Sequence, residues 1–193
     1  MVKVLLADNF YPKGDAEAYW AAVAGLQFVE KEYGQEIDHF NMIFPGVEPI
    51  LSKVIGEPVK VDKDRSGVFR RPMGIVHFEG FDSLDEWCFV VALEKTTFNI
   101  YHHLKDGQYG NIDAWSALDG YQFNYRNLFE WDVNINIQME PNQGIFFRPW
   151  MFHTFQNGIV QYYRLLKGDE CNNNNTSSSL DSNEQDRLSS DHS

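Results

Sequence analysis

The chain has 193 residues, a formal net charge of −12, and 43% hydrophobic and 15% aromatic residues. That length points to one domain with a real core, since domains commonly hold about 100–200 residues. The acidic balance argues against a general nucleic-acid binder, which needs clustered Lys and Arg, and Arg70-Arg71 with Arg65 nearby is the one short basic cluster.

Residues 2–6 are apolar and β-prone and predict a short strand, and Asp8-Asn9-Phe10-Tyr11-Pro12 is turn chemistry. A helix is expected from about Asp15, with Asp15 as N-cap, because Tyr19, Trp20, Val23 and Leu26 recur on a helical period and Gly34 lies beyond its end. A second short helix fits residues 47–55, between Pro45-Gly46 and Gly56-Glu57-Pro58.

From Val59 the pattern changes to short β-prone runs: 59–62, 68–71, 74–78, 87–93, 97–102, 133–138, 144–147, 151–155 and 160–166. Runs of this kind separated by Asp, Gly, Asn and Pro clusters indicate a sandwich or jelly-roll barrel. The expected class is mainly β (α+β), with both N-terminal helices packed on one face of the barrel. Residues 105–131 show no period and read as a long loop over the barrel mouth. Residues 1–167 form the expected domain. Residues 168–193, an Asn/Ser and acidic stretch, lack the apolar material to offset the entropy of ordering and are expected to be disordered.

Cys88 lies in an apolar run and Cys171 in the polar stretch, so neither a disulfide framework nor a cysteine metal site follows. The apolar run at the N-terminus stops at Asp8, too short for a signal, and no run approaches the roughly 20 residues of a membrane span. A cytoplasmic protein is expected.

The chemistry-bearing residues fall in two stretches. In Ile75-Val76-His77-Phe78-Glu79, residues two apart share a face of a strand, so His77 and Glu79 project together. Two histidines and one carboxylate with open positions suit non-haem Fe(II). Asp82 and Asp85 compete as the carboxylate, and a plain strand histidine beside a solvated glutamate is the bland alternative.

The second stretch runs from Gly144 through Pro149 to His153, followed by Asn157-Gly158, a strong two-residue hairpin signal. Counting outward, His153 faces Tyr162 and Met151 faces Arg164, which makes His153 and Arg164 diagonal neighbours roughly 7–8 Å apart. A buried Arg at that distance suits the far carboxylate of 2-oxoglutarate, because its planar fork binds a carboxylate bidentately. The alternative is an Arg164 paired with an acid of the barrel. Tyr101, Tyr162 and Arg148 are candidates to line the pocket. His102 and His103 point to opposite faces of one strand, so only one of them can face inward.

His77-x-Glu79, then His153, then Arg164 eleven residues later resembles the Fe(II)/2-oxoglutarate-dependent oxygenase superfamily. Asp8-Asn9-Phe10-Tyr11 and Phe44-Pro45-Gly46 look like the "D-x-F-Y" and "Y/F-P-G" segments of its small phage and bacterial members, and the similarity spans roughly residues 3–167. The resemblance implies a double-stranded β-helix fold and a dioxygenase that consumes 2-oxoglutarate and O₂, with hydroxylation of a small-molecule or peptide substrate. It implies Fe(II) on His77, Glu79 and His153, and 2-oxoglutarate near Arg164, Tyr162 and Tyr101. Departures are Glu79 in place of the commoner Asp, Leu93-Glu94-Lys95-Thr96-Thr97 in place of a Gly-Gly-Thr turn, and Leu166 where a small hydroxyl residue is usual. A catalytically inactive binding or structural module is the alternative. A cupin-type isomerase is another, since Pro149, His153 and Asn157 approximate the second cupin motif, but the first is missing.

Overall fold

The computed structural model describes residues 4–31, 34–37, 42–71, 76–79, 83–104, 110 and 128–168. The expected loop over 105–131 lies outside the described residues apart from Gly110 and 128–131, and the expected disorder after 168 lies wholly outside them.

β1 (Leu5–Ala7) leads into α1 (Lys13–Ala24). Asp15 is not the N-cap: Pro12 holds that position with φ −54°, the cap has no side-chain hydrogen bond, and the Pro12 carbonyl accepts the Ala16 N–H at 2.9 Å. Proline's fixed φ already suits a helix start, which leaves Asp15 in the first turn, where a negative charge complements the helix dipole. The helix ends at Ala24, and an unexpected hairpin of β2 (Phe28–Lys31) and β3 (Gly34–Ile37) follows. α2 (Val47–Ile55) has the expected bounds, with Gly46 and Gly56 both at positive φ.

The remaining strands are β4 (Val59–Arg71), β5 (Trp87–Ala92), β6 (Thr96–His103), β7 (Trp131–Met139), β8 (Gly144–Phe147), β9 (His153–Gln156) and β10 (Gly158–Lys167). The runs at 59–62 and 68–71 are one strand, β4, whose pairing with β10 slips between Tyr162 and Arg164. The bulge is tied down by Ser66, whose hydroxyl accepts the Arg164 N–H at 2.9 Å and donates to the Asp62 carbonyl at 2.5 Å.

Among the described residues these strands form two antiparallel sheets, one ordered β1-β8-β5-β10-β4-β3-β2 and the other β7-β6-β9. Both helices cover the outer face of the larger sheet, where Tyr19, Val23, Val47 and Leu51 pack with Phe89, Val91, Tyr163 and Leu165. Between the sheets lie Cys88, Val90, Phe147 and Tyr162 from the larger and Phe98, Ile100 and Phe155 from the smaller. β5 is therefore covered on both faces, which is why it reads as the unbroken apolar run Trp-Cys-Phe-Val-Val-Ala.

The expected 156–159 hairpin does not form. β9 pairs with β6, matching Ile100 to His153, while β10 pairs with β4 and β5 in the other sheet. Asn157, at φ 62°, turns the chain from one sheet to the other. A Cβ on Gly158 would stand 2.8 Å from the Lys95 carbonyl oxygen, so this crossing packs tightly against the β5–β6 turn. A strong local turn signal has been used for a bend between sheets, because both strands find longer partners elsewhere.

Candidate metal centre

His77 sits on an isolated antiparallel bridge to His153. The two residues exchange backbone hydrogen bonds of 3.1 and 2.8 Å, and the Glu79 N–H donates to the Pro149 carbonyl at 2.8 Å. Two segments far apart in sequence are thus laid side by side on the smaller sheet. Strand alternation then sends His77 and Glu79 to one side, while Val76 and Phe78 turn to the other and pack with Tyr101, Trp131 and Phe152.

Ligand atoms of His77, Glu79 and His153 all lie within 4.8 Å of one another. Glu79 Oε1 is 3.4 Å from His77 Nε2 and 3.8 Å from His153 Nε2, and the imidazole centroids are 4.4 Å apart. His153 is fully buried against the rings of Phe98, Phe147 and Phe155, whereas His77 and Glu79 are partly exposed and form the open side.

His153 Nδ1 lies 2.8 Å from the Met151 carbonyl, which can only accept, so Nδ1 carries the proton. Its Nε2 then presents a lone pair, buried and without a hydrogen-bond partner, toward Glu79. A carbonyl orienting the far nitrogen of a histidine is the arrangement that metal-ligating imidazoles use. Burial and then the neighbouring His77 lower the His153 pKa, which keeps that lone pair available. Burial alone would raise the Glu79 carboxyl, but the imidazoles of His153 and His77 outweigh it and hold Glu79 well below the ordinary carboxylate range. An anion with one bare, oriented nitrogen and a second imidazole beside it fits a divalent cation.

Arg164 reaches the same interior by a different route. It shares the inward face of β10 with Tyr162 and lies opposite Cys88 of β5. The diagonal His153–Arg164 placement falls with the hairpin, since the two belong to different sheets. Arg164 is 1% exposed and pairs through Nη2 with the carboxylate of Glu86, itself 2% exposed. Its Nη1 lies 3.5 Å from Cys88 Sγ, and the Tyr162 hydroxyl is 3.0 Å from the same sulfur. Burial raises the pKa of both Cys88 and Tyr162.

The other candidates lie elsewhere. The Tyr101 hydroxyl is 3.3 Å from Thr154 Oγ1, and Thr154 points to the opposite side of β9 from His153, so Tyr101 backs the site instead of lining it. Arg148 donates to the Asp85 and Glu86 carbonyls and stacks over Trp87 at 3.6 Å. Asp85 lies 3.3 Å from Lys167, His102 Nδ1 lies 3.8 Å from the Asp132 carboxylate, and His103 packs on Trp131. Asp82 is outside the described residues. Sequence reasoning missed Glu86. Its signal was position, one residue before a wholly apolar strand.

No protein-family model matches this chain, and no curated protein does either. Solved structures do. The non-heme alpha ketoglutarate dependent carbocyclase SnoK from nogalamycin biosynthesis superposes with a TM-score of 0.58 at 10% identity, covering 86% of this chain and 80% of that one. The non-heme alpha ketoglutarate dependent epimerase SnoN from nogalamycin biosynthesis gives 0.55 at 10% identity, with 86% and 79% covered. HygX from Streptomyces hygroscopicus, with nickel, 2-oxoglutarate and hygromycin B bound, gives 0.53 at 8% identity, with 86% and 84% covered. Identities this low show a shared architecture, and the chain accordingly has the fold of non-haem 2-oxoglutarate-dependent enzymes.

Proposed function

We propose that this chain is an Fe(II)- and 2-oxoglutarate-dependent dioxygenase on a double-stranded β-helix, acting on a small-molecule or peptide substrate. The observation that carries the reading is the convergence of His77, Glu79 and His153 with a bare, buried Nε2 on His153. These three residues would hold the ion on one side and leave the other side open, as a two-histidine, one-carboxylate set does for non-haem iron. When bound, Fe(II) would supply O₂ activation coupled to decarboxylation of 2-oxoglutarate.

The chain's own part is binding, orientation and exclusion of water. The Met151 carbonyl fixes the His153 tautomer, the Phe98, Phe147 and Phe155 rings keep water from its buried side, and Arg164 offers a fixed cation for the far carboxylate of the co-substrate. The dependence on alpha-ketoglutarate named for SnoK and SnoN supports the co-substrate.

The test is succinate release from 2-oxoglutarate by the purified chain with and without Fe(II). Iron-dependent succinate, lost in His153→Ala, is the expected result. Metal uptake with no succinate at any iron concentration would sink the reading. The Arg164–Glu86 pair favours one alternative, a metal-binding barrel that consumes no 2-oxoglutarate, since the expected anchor is already occupied.

A further inference from the structure

We propose that Glu86 is a built-in counter-carboxylate of Arg164, occupying the anchor at rest, and that the far carboxylate of 2-oxoglutarate binds by displacing it. The inference rests on the co-substrate reading above and adds a competitor to it.

Among the described residues Arg164 is the largest fully buried side chain, and its guanidinium is not idle. Nη2 holds the Glu86 carboxylate, Nη1 meets the Cys88 sulfur at 3.5 Å, and Nε has no hydrogen-bond partner. Glu86 is held in turn, because its Oε1 accepts the Ser83 N–H at 2.9 Å. The pair is neutral as a unit. A guanidinium buried this deeply without an anion would be strongly disfavoured, so Glu86 keeps Arg164 in place when no co-substrate is bound.

The same neutrality makes the pair a poor receptor for a second carboxylate. Adding one with Glu86 still in place leaves a net negative charge where water is excluded, and the remaining donors cannot offset it. Exchange of one carboxylate for another keeps the charge balance when the displaced Glu86 side chain turns out to solvent beside the exposed Leu84 and Asp85, and the fork geometry accepts either. Affinity for 2-oxoglutarate is then set by a difference between two anions on one cation. A 2-oxo acid that lacks the far carboxylate does not enter that competition.

Calorimetric titration of the Ni(II)-loaded full chain with 2-oxoglutarate and with 2-oxopentanoate, which has a methyl in place of the far carboxylate, tests this. Glu86→Gln is expected to bind 2-oxoglutarate at least about tenfold tighter than wild type, the effect of removing one charge-assisted competitor. Its affinity for 2-oxopentanoate should not change. Because breaking a buried pair can unfold the chain, Glu86→Asp is measured beside it; it keeps the charge, withdraws it by one methylene, and should shift affinity in the same direction by less. Wild type by itself should prefer 2-oxoglutarate over 2-oxopentanoate by less than about tenfold. Unchanged or weaker 2-oxoglutarate binding in both variants, or a wild-type preference of about a hundredfold, overturns the competition and leaves the oxygenase reading standing. If metal-loaded wild type and variants bind neither acid, the co-substrate reading itself falls and the competition with it.

Discussion

His77 and His153 face each other across a single backbone bridge, with hydrogen bonds of 3.1 and 2.8 Å between their main chains and 4.4 Å between their ring centroids. Main-chain pairing therefore sets the distance between the two imidazoles. The spacing depends on β9 staying seated on β6, where Ile100 lies opposite His153.

Removing the buried imidazole should abolish metal binding. His153→Ala is expected to take up no Ni(II) or Co(II) in equilibrium dialysis, because the oriented Nε2 lone pair is lost. Glu79→Gln should bind more weakly than wild type, since it removes the anion but keeps a carbonyl ligand. Equimolar uptake by His153→Ala would disprove the assignment of that ligand.

Phe152 is fully buried beside the bridge, with Trp131 edge-on at 4.8 Å and Phe78 at 6.1 Å. Phe152→Ala should lower stability by about 3–5 kcal/mol, the usual cost of emptying an aromatic site in a core. Since the same ring backs both ligand segments, metal affinity should fall as well. Urea unfolding and dialysis on one preparation check both effects.

The Arg164–Glu86 pair should behave as a coupled unit in stability. Arg164→Met alone, or Glu86→Leu alone, is expected to cost about 3–5 kcal/mol by stranding the other charge in the interior. The double variant should cost much less than the sum of the two. A double-mutant cycle by urea denaturation reads the coupling, and additive losses would show that the charges do not interact.

Burial pushes the Cys88 thiol up to about 12 from an ordinary value of 9.0. In a Cys171→Ser background, Cys88 should resist iodoacetamide at neutral pH and react once the chain unfolds. The sign of the linked stability follows. Between about 9 and 12 the folded chain keeps a proton that the unfolded chain has released, so this contribution is intact below 9 and is lost as pH rises toward 12. Alkylation rates and denaturation midpoints across that range check it.

The readable parts of the sequence were those governed by neighbours in the chain. α2 lies between two glycines with the left-handed geometry expected at a turn, and the ranges of β5, β6 and β8 follow from runs of β-branched and aromatic side chains. The shared orientation of His77 and Glu79 follows from a period of two. What failed was pairing. Asn157-Gly158 has the composition of a hairpin turn, yet it joins two sheets, because β10 gains more ladder from β4 and β5 than from the four residues of β9. The β2–β3 hairpin escaped notice because Lys31-Glu32-Tyr33-Gly34 carries little apolar alternation.

The amino-acid sequence by itself determined which side chains were available for chemistry and which of them share a face, since alternation is a local property of an extended chain. Only the tertiary structure decided that His153 meets His77 and Glu79, that Tyr101 turns away, and that Arg164 already has an anion in Glu86. Those outcomes depend on which strands lie beside one another, and strand pairing is settled by the burial and hydrogen bonding of the whole sandwich.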